Sequence, residues 1–368
     1  MNFKFYIGTK AFFGRKCIEN NRQELARYGR RAMIVGGRSS ARASGALGDV
    51  TGILKELDIV YDIFDRVENN PSLENVKEGG DRAAAFGADF IIGIGGGSPL
   101  DAAKAIAVLA VNRMDPLELY KNSFDKKPLP IIAIPTTAGT GSEVTPYSIL
   151  TRKDMETKMS FGNEDTFPKA AFLDPGYTES MDYGTTVNTG MDALSHAVEG
   201  YLSRRSTPAS DILAVEAIGL IGECMEPMAA RNLSYEVREK LLYASMLGGM
   251  VISHTGTTIV HGMGYSLTYF KDIPHGKANG LLMKEYFKFN YGAAKEKIDN
   301  ILRRMNLESI EDFGEKIGLL LDGSGTFTDE EIKKYASLAI RQRSASFNIK
   351  DVTEEDMVKI LKASLKVE

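Results

Sequence analysis

Among its 368 residues the chain has only two cysteines, Cys17 and Cys224. Two thiols cannot build a disulfide framework, and a reducing, cytoplasmic setting is the expectation. The chain also lacks any apolar run near the ~18–20 residues that a spanning helix needs, so no membrane partner is expected. The opening residues MNFKFYIGTKAFFG alternate polar and apolar types and lack the apolar core of a signal peptide. Neither sign of charge dominates. The 45 Lys and Arg stand against 49 Asp and Glu, a net charge of −4, which implies no nucleic-acid partner. Internal repeats, low-complexity tracts and extended linkers are absent as well.

What remains is ordinary globular composition, 43% hydrophobic and 26% charged, at a length that suggests two domains. In the first half, strand-like runs alternate with helix-length stretches. The runs are Ala32 to Val35, Ile59 to Phe64, Phe90 to Ile94 and Pro130 to Ile134. They are apolar on both faces, which predicts a parallel sheet covered by helices. A helix is predicted over 71–86, with Asn70 as its cap and Pro71 in its first turn. Beyond Asp174-Pro175 the pattern changes to helices alone, the longest over 208–228 and 235–252. The predicted division is an α/β domain over residues 1–178 and an all-α domain over 179–368.

Two loops at the ends of strands carry a chemical signal. Gly95, Gly96 and Gly97 follow the third run and precede a predicted helix with Ser98 as N-cap and Pro99 in its first turn. Glycines let a backbone approach a phosphate, and a helix N-terminus offers N–H groups and a favourable dipole to an anion. The loop is neither GxGxxG nor a Walker A sequence, and a plain strand-to-helix turn is the alternative. The second loop, PTTAGTGSEVT over 135–145, places six hydroxyl-bearing or glycine residues between Thr136 and Ser142. Such a loop can hydrogen-bond phosphate, ribose or amide groups without adding charge, although the same composition is common in mobile surface loops.

The four histidines are His196, His254, His261 and His275. Asp192 and His196, four residues apart in a helical pattern, project from one face. Taken alone, such a pair is more often a surface or capping pair. With His261 and His275 it makes a donor set that suits Fe(II) or Zn(II). Nothing around His254 suggests ligation.

Together these segments resemble the iron-containing alcohol dehydrogenase family. The resemblance rests on GGGSPLDAAK (95–104), PTTAGTGSEVT (135–145), MDALSHAVEGYLS (191–203), and the stretch from His261 to His275 with Gly276. It runs in order over essentially the whole chain. It implies a dehydroquinate synthase-like architecture, with a Rossmann-like dinucleotide-binding domain followed by a helical metal-binding domain. It further implies a metal in the cleft between the domains, ligated by Asp192, His196, His261 and His275. The candidate cofactor contacts are Gly37, Ser39, Asn70, Gly96, Gly97, Ser98, Asp101, Thr136, Thr137, Thr145, Ile149 and Lys158.

The expected activity is metal-dependent, NAD(P)H-linked interconversion of small primary alcohols or diols and their aldehydes, by a homodimer. Fe(II) is the expected metal, with zinc possible. Two departures from the family pattern matter. Several members carry a histidine four residues after the third ligand, where this chain has Tyr265. Members that prefer NAD often carry an acidic residue after the first strand, where this chain has Gly37 followed by Arg38, Ser39 and Ser40. NADP(H) is therefore expected to be favoured over NAD(H), with dual use as the alternative. Glycerol-dehydrogenase-like polyol oxidation and dehydroquinate synthase chemistry are rivals on the same architecture. A non-catalytic NAD(P)H sensor is the rival from another class.

Overall fold

The structure, a computed structural model, describes residues 2–323 and 325–368. The chain divides into two compact units, one of Ile7–Met181 and one of Asp182–Glu368 with Met1–Tyr6.

The first unit is built on a six-stranded sheet. Its strands are β1 (Lys10–Phe13), β2 (Arg31–Gly37), β3 (Val60–Val67), β4 (Phe90–Gly95), β5 (Ile131–Pro135) and β8 (Ala170–Leu173). The order is β1-β8-β5-β4-β2-β3, and every pair is parallel. Alternate residues serve the two faces. Ile34, Ile92 and Ile132 pack with Leu47, Val50 and Leu54 on one side. Met33, Ile91 and Ile131 pack with Val76 and Ile106 on the other. Each such side chain stabilises the fold by roughly 1.5–3 kcal/mol relative to exposure, which is why the runs read as continuously apolar.

The four anticipated runs are β2, β3, β4 and β5. Strands β1 and β8 and the antiparallel hairpin of β6 (Ser148–Arg152) and β7 (Thr157–Phe161) were not anticipated. The β8 sequence, Ala170-Ala171-Phe172-Leu173, has little β propensity; pairing with β5 and β1 on either side overrides it. The cap assigned to Asn70 is also corrected. The helix begins at Leu73, and Ser72 Oγ caps it by accepting the Asn75 N–H at 3.2 Å. Asn70 instead adopts a left-handed turn at φ 57°.

Among the described residues the second unit is helical, with a two-residue parallel pairing of Lys366–Val367 with Thr326–Phe327 and an isolated bridge between Ser203 and Asn348. Its principal helices are Tyr183–Tyr201, Pro208–Ala229, Tyr235–Thr255, Ile259–Lys271 and His275–Arg304. The first starts earlier than its weak leading turn suggests, because Asp182 accepts the Thr185 N–H at 2.6 Å and anchors it. Thr207 and Ser210 form a reciprocal capping box at the start of the second, with Pro208 in its first turn. No helix among the described residues is long and apolar enough to cross a membrane.

Candidate functional site

In the first unit the chain leaves β2 for β3 on one side, then returns to β4 on the other. Ligands of open α/β sheets bind beyond the carboxyl ends of strands at such a reversal. Here those ends carry Gly37 and the triple glycine. They open into a cleft of about 620 Å³ lined by Gly37, Arg38, Ser39, Ser40, Gly96, Gly97, Ser98 and Thr137, with Arg66 and Glu68 from the end of β3.

The glycines are sterically demanded. Gly95 sits at φ 145°, and a Cβ there would lie 2.6 Å from Pro99 Cγ. A Cβ on Gly97 would lie 2.7 Å from Thr140 Cγ2. The helix Gly97–Leu109 is capped by Gly96 with no side-chain cap, which corrects the role given to Ser98. An uncapped N-terminus leaves its first N–H groups and its dipole available to an anion. Ser98 lies in the first turn, and its Oγ accepts the Asn70 N–H at 3.1 Å. Asn70 Oδ1 in turn accepts from Lys158 Nζ at 2.7 Å. Three residues far apart in sequence are thus tied together at one place.

Asp101 and Thr145 are buried and Ile149 half-buried where the second loop meets the glycine-loop helix. Asp101 accepts from Ser142 Oγ at 2.6 Å and from the Ile149 N–H at 3.1 Å. Lys104, fully buried, donates to Ser142 Oγ, Thr145 Oγ1 and the Tyr147 carbonyl. Burial pulls the Lys104 ammonium down to about 8, against the opposing pull of Asp101 and Glu143. Burial likewise pushes the Glu143 carboxyl up to about 7, although a backbone hydrogen bond and Lys104 draw it down. This cluster latches the hydroxyl-rich loop to the glycine-loop helix. Thr136 is buried, and its Oγ1 has no hydrogen-bond partner.

In the second unit, Asp192 and His196 come from the helix Tyr183–Tyr201, His261 from Ile259–Lys271 and His275 from the start of His275–Arg304. The Nε2 atoms of His196, His261 and His275 lie 3.9, 3.7 and 3.9 Å from Asp192 Oδ1. Ligand atoms of Asp192, His261 and His275 all fall within 4.8 Å of one another. The His196 and His261 rings stack at 4.7 Å. His275 can come so close because Gly276 has no side chain; a Cβ there would meet the Asn188 carbonyl at 1.7 Å.

His254 is elsewhere, accepting the Tyr6 N–H at 2.9 Å and stacking on Phe5. Tyr265, in place of the further histidine, stacks on the His275 ring at 5.2 Å.

Glu199 was missed in the sequence. It lies on the same helix face as Asp192 and His196 and is fully buried, and its Oε2 pairs with His261 Nδ1. Its Oε1 accepts from the N–H groups of Thr258 and Val260 and from Thr258 Oγ1. The Nδ1 proton thereby faces a carboxylate, and Nε2 is left with its lone pair toward Asp192. A carboxylate at i+7 from Asp192 in an otherwise apolar stretch was the available signal.

Comparison with known proteins decides the family. Residues 8–175 match the family described as iron-containing alcohol dehydrogenase, and residues 186–365 match the Fe-containing alcohol dehydrogenase family, C-terminal. The chain belongs to the iron-containing alcohol dehydrogenase family. A solved iron-containing alcohol dehydrogenase from Thermotoga maritima is 42% identical, with a TM-score of 0.92 over 99% of both chains. An NADPH-dependent butanol dehydrogenase of Clostridium saccharobutylicum is 33% identical over 83% of this chain and 78% of that protein. An NAD-dependent methanol dehydrogenase of Bacillus methanolicus is 31% identical over 81% of this chain and 78% of that protein.

The family's iron and NAD(P) fit the residues present. Three imidazole nitrogens and a carboxylate oxygen, all electron-pair donors, crowd together where Asp192, His196 and His261 are buried and His275 is half-buried, an arrangement that a divalent cation stabilises. For the dinucleotide, the uncapped helix end and the orphaned Thr136 hydroxyl offer unused hydrogen-bonding groups.

Proposed function

We propose that Asp192, His196, His261 and His275 hold one Fe(II), and that the protein uses it with NADP(H) to interconvert small primary alcohols or diols and their aldehydes. The observation carrying this reading is the convergence of three Nε2 atoms on Asp192 Oδ1. When bound, the ion supplies Lewis acidity at the substrate oxygen, the property that alcohol oxidation and aldehyde reduction both require. The same donors accept zinc. Glu199 fixes the tautomer of His261, and the glycine loop takes the pyrophosphate on backbone N–H groups. Tyr265 places an aromatic ring, rather than an imidazole, beside His275.

Family membership leaves the choice of dinucleotide open, since the relatives include both NADPH- and NAD-dependent enzymes. Support for NADP(H) comes from the cleft. Gly37 brings no carboxylate to repel a 2′-phosphate, while Arg38, Ser39, Ser40 and Arg66 line the same space. Glu68, the carboxylate there, accepts from the Ser72 N–H and Oγ at the start of the next helix.

The test is a panel of aldehydes given to anaerobically iron-loaded protein with NADPH and NADH. The reading expects net oxidation of reduced nicotinamide and a higher kcat/KM with NADPH. Binding of NADPH without turnover of any aldehyde would favour a sensor, and a higher kcat/KM with NADH would reverse the cofactor assignment.

A further inference from the structure

Asn279 is fully buried one turn after His275. Its Nδ2 lies 3.2 Å from Asp192 Oδ1 and 3.3 Å from Ser195 Oγ. The same nitrogen lies 3.3 and 3.4 Å from Nε2 of His261 and His275. An amide nitrogen has two protons, so it cannot serve four acceptors at once. The carboxylate oxygen is the strongest of them and takes its proton preferentially. The Asn279 amide oxygen, by contrast, is buried without a partner. It occupies the space left by Gly264, where a Cβ would stand 2.2 Å from it. The fold thus accepts an orphaned carbonyl and a bare glycine to keep this N–H donor against Asp192.

We propose that Asn279 is a positioning residue of the metal centre, its amide holding the Asp192 carboxylate with Oδ1 turned to the three imidazoles. The proposal rests on the four-ligand reading above. A carboxylate that is free to rotate about its last bond offers either oxygen, or both, to an ion. One N–H bond to Oδ1 removes that freedom while leaving a second lone pair on the same oxygen. A neutral amide does this without adding charge. A lysine would repel a divalent cation, and a second carboxylate would lower its Lewis acidity.

The test is a titration of metal-free protein with Co(II), read by calorimetry and by the visible absorption of the bound ion. Wild type, Asn279→Ala, Gly264→Ala and His261→Ala are compared, with NADPH affinity and thermal unfolding of each metal-free protein as controls. Asn279→Ala is expected to weaken Co(II) binding about 10- to 100-fold, the range for lost outer contacts to a ligand, and to shift the absorption bands. NADPH affinity should stay within a few-fold. Gly264→Ala, which displaces the amide without removing it, should move both readouts in the same direction and serves if Asn279→Ala does not fold. If wild type binds no Co(II), or His261→Ala binds it as tightly, the four-ligand reading fails. If both hold but Asn279→Ala and Gly264→Ala leave affinity and spectrum unchanged, the role of Asn279 alone is overturned.

Discussion

The α/β unit and the helical unit build their candidate ligand sites by opposite means. The first offers backbone: glycines at strand ends, an uncapped helix and small hydroxyls, held from below by the buried Lys104 cluster. The second offers side chains from three helices, with Glu199 and Asn279 hydrogen-bonded to two of them. A backbone site tolerates exchange of most side chains and depends on a few glycines. A site of converging side chains fails when any one donor is lost, because the others remain buried without compensation.

His261→Ala should lower activity by roughly a hundredfold or more, beyond the range for lost outer contacts, while NADP(H) affinity stays within a few-fold. A large loss of NADP(H) binding in this variant would break the contrast between the units. Glu199→Gln should weaken metal binding by about 10- to 100-fold, since an amide holds the His261 tautomer less firmly than a carboxylate. Metal affinity equal to wild type by calorimetry would remove Glu199 from the account.

In the backbone site, Gly37→Asp should cost NADP(H) affinity by roughly 1–3 kcal/mol and leave NAD(H) use similar or improved. A Cβ at 37 makes only ordinary contacts, 3.6 Å from Ser40 Oγ and 3.9 Å from Pro99 Cγ, so the effect can be read as electrostatic. An unchanged ratio of the two kcat/KM values would place the 2′-phosphate elsewhere.

The smallest effect concerns the latch. Burial raises the Glu143 carboxyl from 4.5 to about 7, so the folded chain holds this proton more tightly than the unfolded chain. Its contribution is fully present below about pH 4.5 and is lost as pH rises through about 7. Glu143→Gln removes that dependence. The variant should gain roughly 1–3 kcal/mol on wild type between pH 5 and pH 8. Parallel denaturant-unfolding profiles at the two pH values would contradict the burial argument.

The same contrast governs what could be read from the sequence. Strands β2, β4 and β5 are continuous apolar runs, β3 keeps apolar residues around Asp62, and the glycine loop is contiguous, so local pattern reveals them. Strands β1 and β8 are short and take their conformation from neighbours. Asp192 and His196 share a helix face and are legible as a pair, whereas His261 and His275 joined them only as a chemically compatible donor set until the family resemblance made the four specific. Glu199 and Asn279 stayed silent because a lone carboxylate and a lone amide on helices have many structural uses. Their roles appear only when His261 Nδ1 and Asp192 Oδ1 are found against them. The Ser98 and Asn70 caps were misplaced for a related reason: several cap-forming residues stood side by side, and the tertiary bond between these two selected others.

The most direct measurement is aldehyde reduction by NADPH in protein stripped of metal, before and after anaerobic addition of Fe(II). The account predicts no turnover in the stripped protein and full recovery with Fe(II) in wild type, with no recovery in His275→Ala. Undiminished turnover in verified metal-free protein would contradict it.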